Sequence, residues 1–106
     1  VFNLCGQTSL TEMAQILALS KCLVCNDSGA MHMAAVVHLP TVAMFGPTVQ
    51  SFGYQPWNPK AVVVEDAQLE CRPCSAHGAD VCPIKTHACM KNLPVDRVMA
   101  EILKFP

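Results

Sequence analysis

A chain of 106 residues makes one compact unit or part of a larger one. With 52% hydrophobic and only 14% charged residues it is too apolar for a disordered segment. A formal net charge of −1 without a basic run excludes the electrostatic footprint of a nucleic-acid binder, so no nucleic-acid partner is expected. The apolar content is high for so small a free-standing domain, and part of the surface is expected to lie against a further segment. No uninterrupted apolar stretch is long enough to span a bilayer. The first residues carry no methionine, basic region or apolar core that reads as a signal peptide. Seven cysteines is an odd number, and Cys5, Cys22 and Cys25 fall in or beside strand-like and helix-flanking segments, where a reduced thiol acts as a small hydrophobe. The chain therefore reads as cytoplasmic, with mostly reduced thiols.

Residues 1–4 read as the end of a strand or a loop, broken by Gly6. Ser9-Leu10-Thr11-Glu12 fits a capping box, in which serine and glutamate satisfy each other's backbone N–H groups. Leu10, Met13, Ala14, Leu17 and Ala18 then recur at helical spacing, which predicts an amphipathic helix from Leu10 to about Leu19. Residues 22–25 form a short continuous apolar run, as in a strand covered on both faces. Residues 29–37 predict a helix that is apolar nearly all round and hence deeply buried, ended by Leu39-Pro40. Residues 41–45 predict a second strand, closed by Gly46-Pro47. Residues 46–59 are a loop carrying Phe52, Tyr54 and Trp57. Such a loop either rims a ligand crevice at the carboxyl ends of the strands or folds back as a small aromatic cluster. Residues 61–65 predict a third buried strand, residues 66–92 an irregular cysteine-rich insertion, and Pro94 the first turn of a last helix. Val95, Val98, Met99, Ile102 and Leu103 give that helix an apolar stripe. Strands alternating with helices argue for an α/β fold with a parallel sheet and right-handed crossovers, the later half of a Rossmann-like domain.

The stretch Asn26-Asp27-Ser28-Gly29-Ala30-Met31-His32 joins the first strand to the second helix. Asp27 or Ser28 is placed to cap the helix with a side-chain oxygen. The first-turn N–H groups and the helix dipole make such an end a site for a phosphate or carboxylate. His32 falls in or just after the first turn, and Asp27 is suited to accept hydroxyl hydrogen bonds from a sugar. Together they suggest a nucleotide-sugar pocket. The competing reading is a purely structural cap with a structural histidine beside it.

Within the insertion, Cys71-x2-Cys74, Cys82 and His87-x-Cys89 lie within nineteen positions. A CxxC pair places two thiolates on one side of a turn. Cys82 and Cys89, with His87 as the alternative ligand, complete a tetrahedral set for a structural zinc or iron. The intervals match no standard zinc-finger or ribbon spacing, and free thiols that merely pack the loop are the alternative.

With these segments in order, the chain resembles the lipopolysaccharide heptosyltransferases of glycosyltransferase family nine, of the heptosyltransferase II type. The resemblance rests on Leu4-x-Gly6-x-Thr8-Ser9-Leu10, Asn26-Asp27-Ser28-Gly29-x-Met31-His32-x-Ala34-Ala35, Phe45-Gly46-Pro47-Thr48, and Cys71-x-Pro73-Cys74 through Cys82-Pro83 to His87-x-Cys89-Met90. It implies a Rossmann-like parallel sheet with flanking helices, the C-terminal half of a glycosyltransferase-B fold, in which two such domains flank the active-site cleft. Residues 1–106 then form part of the C-terminal nucleotide-sugar (donor) binding domain, with the insertion at about 66–92. The implied activity is inverting transfer of heptose from ADP-heptose to the lipopolysaccharide inner core. By the same resemblance the backbone of Ser28 and Gly29 meets the diphosphate, His32 approaches the phosphates and Asp27 the sugar. Ala30 stands where the family usually has a small residue or proline. The family's catalytic base is an aspartate of the N-terminal domain, which nothing here matches, so this segment alone is expected to be inactive. The implied partners are the donor, the lipopolysaccharide core acceptor and the N-terminal domain, with no cofactor for transfer and peripheral association at the cytoplasmic face of the inner membrane. The alternatives are a nucleotide-binding or regulatory module without transferase activity, and a metal-stabilised interaction domain.

Overall fold

The first helix, α1 (Leu10–Leu19), begins where the sequence places it. Ser9 Oγ accepts the Glu12 N–H at 3.2 Å, and Glu12 Oε2 accepts the Ser9 N–H at 2.8 Å, which closes the capping box. A computed structural model describes residues 1–106. After α1 come β1 (Leu23–Asn26), α2 (Gly29–Val36), β2 (Thr41–Phe45), a 3-10 turn (Gln50–Phe52), β3 (Ala61–Glu65), the single-turn helix α3 (Ala88–Lys91) and α4 (Val95–Ile102). The three strands form one parallel sheet in the order β1-β2-β3, with Cys25 opposite Ala43 and Ala43 opposite Val63. This is the α/β architecture that the alternation of strands and helices predicts.

Strand β2 is the middle of the sheet and the centre of the core. Thr41, Val42, Ala43 and Phe45 are all buried. Met31 of α2 packs with Ala43 and Phe45, while Leu17 of α1 packs with Ala34 and Leu39. Burial is thinner elsewhere than the sequence predicts. Strand β1 starts at Leu23 rather than Cys22, and its burial alternates, leaving Val24 42% exposed. Helix α2 buries only Met31 and Ala34, and Val36 on its far side is 80% exposed. An apolar sequence sinks a helix only where elements pack on every side of it. Here α2 touches α1, β1 and β2 and nothing else to any extent. Pro94 is the residue before α4 rather than its first turn. The α4 stripe is half used: Val98 and Ile102 are partly covered, while Val95 and Leu103 stand out.

The cysteine-rich insertion is irregular except for α3 and lies against the carboxyl ends of β2 and β3. Arg72, whose side chain is 3% exposed, holds it there. Its guanidinium donates to the carbonyls of Gly46, Thr48 (2.8 Å) and Asp66 (2.6 Å) and to Glu65 Oε2 (2.7 Å). Gly46 is needed for the same closeness. A Cβ there would meet Met90 Sδ at 2.7 Å.

Burial pushes the Glu65 carboxyl up, but hydrogen bonds from Arg72 and Gln50 and the charges of Arg72 and Arg97 outweigh it and hold it below its ordinary value of 4.5. A carboxyl lowered on folding contributes stability that is present above its unfolded value and lost as pH falls through the folded one. In the intact protein, Arg72→Met should cost about 3 kcal/mol, because it strips a partly buried carboxylate and three carbonyls of their donor. Urea denaturation at neutral pH and again below pH 4.5 checks both points: the variant should lose less stability on acidification than the wild type.

Candidate functional site

The parallel strands β1 and β2 end side by side, with Asn26 opposite Met44, and the chain leaves β1 directly into α2. In open α/β sheets this carboxyl edge is where ligands sit. Ser28 is the N-cap residue of α2, in extended conformation (φ −158°, ψ 168°), and no side chain caps the helix. The expected cap from Asp27 or Ser28 is therefore not made. The Asp27 carboxylate is engaged elsewhere, where Thr48 Oγ1, just after β2, donates to Oδ2 at 2.6 Å. The amides of Gly29 and Ala30 are left without a side-chain acceptor, which is the state an anion-accepting helix start requires. A Cβ on Gly29 would meet nothing within 4 Å, so no protein packing explains the bare backbone there.

Asp27, Ser28, Gly29 and His32 line one cavity of about 240 Å³, together with Thr48, Tyr54 and His77. Ala30 is half-buried behind it and offers only its amide. A second cavity of about 260 Å³ adjoins the first and shares Asp27, Thr48 and His77 with it. Its other walls are Asn26, Met44, Gly46, Pro47 and Met90. The structure thus brings together the residues singled out at the first strand's end with Tyr54, one of the expected rim aromatics, and adds Thr48 and His77, which sequence reasoning did not place there. Thr48 carried a signal only through its run with Gly46 and Pro47. Tyr54 was one of three rim aromatics; it stacks edge-to-face on Phe52 at 6.3 Å, while Trp57 is 79% exposed. His77 carried no signal at all.

The thiols of the insertion are gathered but not assembled. Cys74, Cys82 and Cys89 line a cavity of about 130 Å³ with His87 and Asp80. Yet nowhere do three or more His, Cys, Asp or Glu side chains stand close enough together to hold a metal ion. The tetrahedral set expected from Cys71, Cys74, Cys82 and Cys89, or with His87, does not converge. Two of the sulfurs are engaged locally instead: Cys74 Sγ donates to the Cys71 carbonyl at 3.5 Å, and Cys82 Sγ accepts the His87 N–H at 3.4 Å. All seven cysteines are free thiols. No helix is long and apolar enough to cross a membrane.

A parallel sheet flanked by helices, with an uncapped helix start at its carboxyl edge, makes this an open α/β domain. The chain belongs to glycosyltransferase family 9 (heptosyltransferase), whose model matches residues 1–84. It is 40% identical over 107 residues to a lipooligosaccharide heptosyltransferase 2 of Campylobacter jejuni, covering 99% of this chain and 32% of that protein. It is 44% identical over 50 residues to lipopolysaccharide heptosyltransferase 2 of Escherichia coli, covering 47% of this chain and 14% of that protein. Among solved structures it is similar to ADP-heptose lipopolysaccharide heptosyltransferase II of Escherichia coli, with a TM-score of 0.62, 31% identity, and coverage of 96% of this chain and 28% of that one. The chain therefore spans about a third, or less, of the length of the relatives it matches.

The thiols should separate by reactivity. Backbone N–H groups, the His87 amide foremost, lower the Cys82 thiol, whereas burial and then the Asp27 charge push Cys25 up to about 11. Burial, followed by the neighbouring thiols, also raises Cys89. Because the thiolate is the nucleophile, iodoacetamide at pH 8 should label Cys82 before Cys89 and Cys25, as read by peptide mass mapping of a time course.

Proposed function

We propose that this chain is the donor-binding part of a heptosyltransferase that moves heptose from ADP-heptose to the lipopolysaccharide inner core with inversion. The observation that carries the reading is the uncapped start of α2 beside Asp27 in a family 9 chain. In an inverting transfer the acceptor hydroxyl attacks the anomeric carbon from the face opposite the leaving group. The C–O bond to the diphosphate breaks, a base takes the hydroxyl proton, and negative charge collects on the departing ADP. The amides of Gly29 and Ala30 and the His32 imidazole are the groups suited to receive that charge, and the α2 dipole adds to them. Asp27, fixed by Thr48, is the acceptor for sugar hydroxyls.

The base must lie within hydrogen-bond reach of the acceptor. The other carboxylates here do not supply one: Glu65 is bound to Arg72 and Gln50, Glu12 to Ser9 and Glu101 to Lys104, and Asp66, Glu70, Asp80 and Asp96 line neither of the two cavities at Asp27. We assign the base to an N-terminal domain that faces this one across a cleft, as in a glycosyltransferase-B fold. The acceptor is a lipid-linked core, so the working place is the cytoplasmic face of the inner membrane. No cofactor is assigned to the transfer. A structural zinc or iron on Cys71, Cys74, Cys82 and Cys89 requires their sulfurs to come closer together, and about one metal per chain in protein purified without chelator would establish it.

In the intact protein, Asp27→Ala and His32→Ala should each raise the KM for ADP-heptose about tenfold or more, the worth of a hydrogen bond to a charged group. Tm should stay nearly unchanged in His32→Ala and fall modestly in Asp27→Ala, which leaves the buried Thr48 hydroxyl without its acceptor. Gly29→Ala should fold at least as well as the wild type, since its Cβ has room, and should still weaken ADP binding by crowding the diphosphate. Wild-type donor kinetics in all three would overturn the site. ADP binding without product from the intact protein would favour a nucleotide-binding module instead. The isolated 106-residue chain, assayed beside the intact protein with a heptose-deficient acceptor, should transfer no sugar; transfer at a comparable rate would place a base within these residues.

A further inference from the structure

One wall of the Asp27 cavity comes from the cysteine-rich insertion. His77 lies between Cys74 and Gly78, held by the Cys74 N–H on the Pro47 carbonyl at 3.2 Å and by Gly78, whose backbone approaches Pro47 so closely that a Cβ would meet Cγ at 3.0 Å. Gly78 has φ +82°, a conformation that suits glycine. The His77 Nδ1 lies 3.1 Å from Tyr54 Oη, with the ring centroids 5.9 Å apart. A phenol can donate or accept; with the Tyr54 hydroxyl donating to Nδ1, the hydrogen of the imidazole sits on Nε2. That nitrogen has no partner in the protein. His77 also belongs to both cavities, at the wall they share.

A diphosphate ester brings two negative charges into this space. No lysine or arginine lines either cavity, and the titratable groups that do are Asp27, His32, Tyr54 and His77. One Asp27 oxygen is already taken by Thr48. Apart from the helix start, the side chains able to meet phosphate oxygens with a ring N–H are therefore the two histidines, His32 on α2 and His77 on the insertion.

We propose that His77 is a second phosphate-binding residue of the donor site, closing on a nucleoside diphosphate-sugar from the side opposite α2, and that Tyr54 is the positioning residue that fixes its tautomer and ring. This rests on the donor-site reading above and extends it to the insertion, whose role becomes presenting a ligand-binding side chain. The geometry also gives the two aromatic-loop and insertion residues a shared purpose that neither segment suggests alone.

The test is calorimetric titration of ADP into the intact protein, with donor KM and kcat measured in parallel. His77→Ala should weaken ADP about tenfold or more and raise the donor KM, with Tm unchanged because the ring is exposed. His77→Gln, which keeps an N–H donor, should recover part of the loss. Tyr54→Phe should weaken ADP by a smaller factor, and the double variant Tyr54→Phe with His77→Ala should be no worse than His77→Ala alone, since Tyr54 acts through His77. A purely packing role for Tyr54 gives additive losses instead and overturns its positioning assignment. Wild-type affinity in both His77 variants, while Gly29→Ala still weakens ADP, overturns the second phosphate contact and leaves the donor site standing. No ADP binding by the wild-type protein overturns the donor site and this extension with it.

Discussion

A single buried guanidinium fixes the geometry of the carboxyl edge of the sheet. Arg72 reaches the turn after β2 through the carbonyls of Gly46 and Thr48, and the end of β3 through Glu65 and the Asp66 carbonyl. A guanidinium so desolvated is tolerable only when its donors are satisfied, so the four acceptors and the cation hold one another in place. Thr48 passes the constraint on: its carbonyl is tied to Arg72, and its hydroxyl is tied to Asp27. The carboxylate beside the α2 start is thus tied, through Thr48 of the loop after β2, to a residue in the cysteine-rich insertion.

This explains why a segment with little regular structure matters to the site. The insertion contributes one short helix and otherwise turns and loops. Besides Arg72, it packs closely where Met90 and Cys89 meet Gly46 and where Gly78 meets Pro47. Those contacts place His77 where α2 and the loop after β2 leave an opening. The thiols belong to the same local economy of hydrogen bonds. Cys82 closes the 82–87 turn by accepting the His87 amide, in which Lys85 and His87 both adopt left-handed backbone.

Much of the fold was legible in the sequence because its signals are local. The capping box at Ser9 and Glu12 and the spacing of Leu10, Met13 and Leu17 locate α1, and the runs 41–45 and 61–65 match β2 and β3 at both ends. What failed was burial, which local pattern cannot set: Val24 and Val36 are apolar, yet Val24 is only partly covered and Val36 stands out. The site divides the same way. Asp27, Ser28, Gly29 and His32 are contiguous and sit where a strand hands over to a helix, a pattern with a mechanism. The bond that engages Asp27 could not be read, because its donor, Thr48, is 21 residues away. His77 was illegible for a stronger reason. Its place depends on the path of an irregular loop, which no periodicity encodes. The thiol spacing was a true signal of proximity, since three of the four line one cavity, but spacing does not say which way a sulfur points.

The loop after β2 is fastened near both ends. Gly46 is bound to Arg72 and Gln50 to Glu65 at the start, while Asn58 Nδ2 donates to the Leu39 carbonyl at 2.6 Å at the finish. Leu39 lies just before β2 and Gly46 just after it, so the loop runs back along the whole strand. Between Phe52 and Trp57 its backbone owes nothing to the sheet's ladder. Apart from Gly53, with its left-handed backbone, and Tyr54, paired with His77, those positions can change without disturbing the scaffold, whereas Gln50 and Asn58 are bound to stay. A family built on this plan can retune which ligand the crevice admits by drift in a handful of rim residues while the rest of the molecule is inherited unchanged.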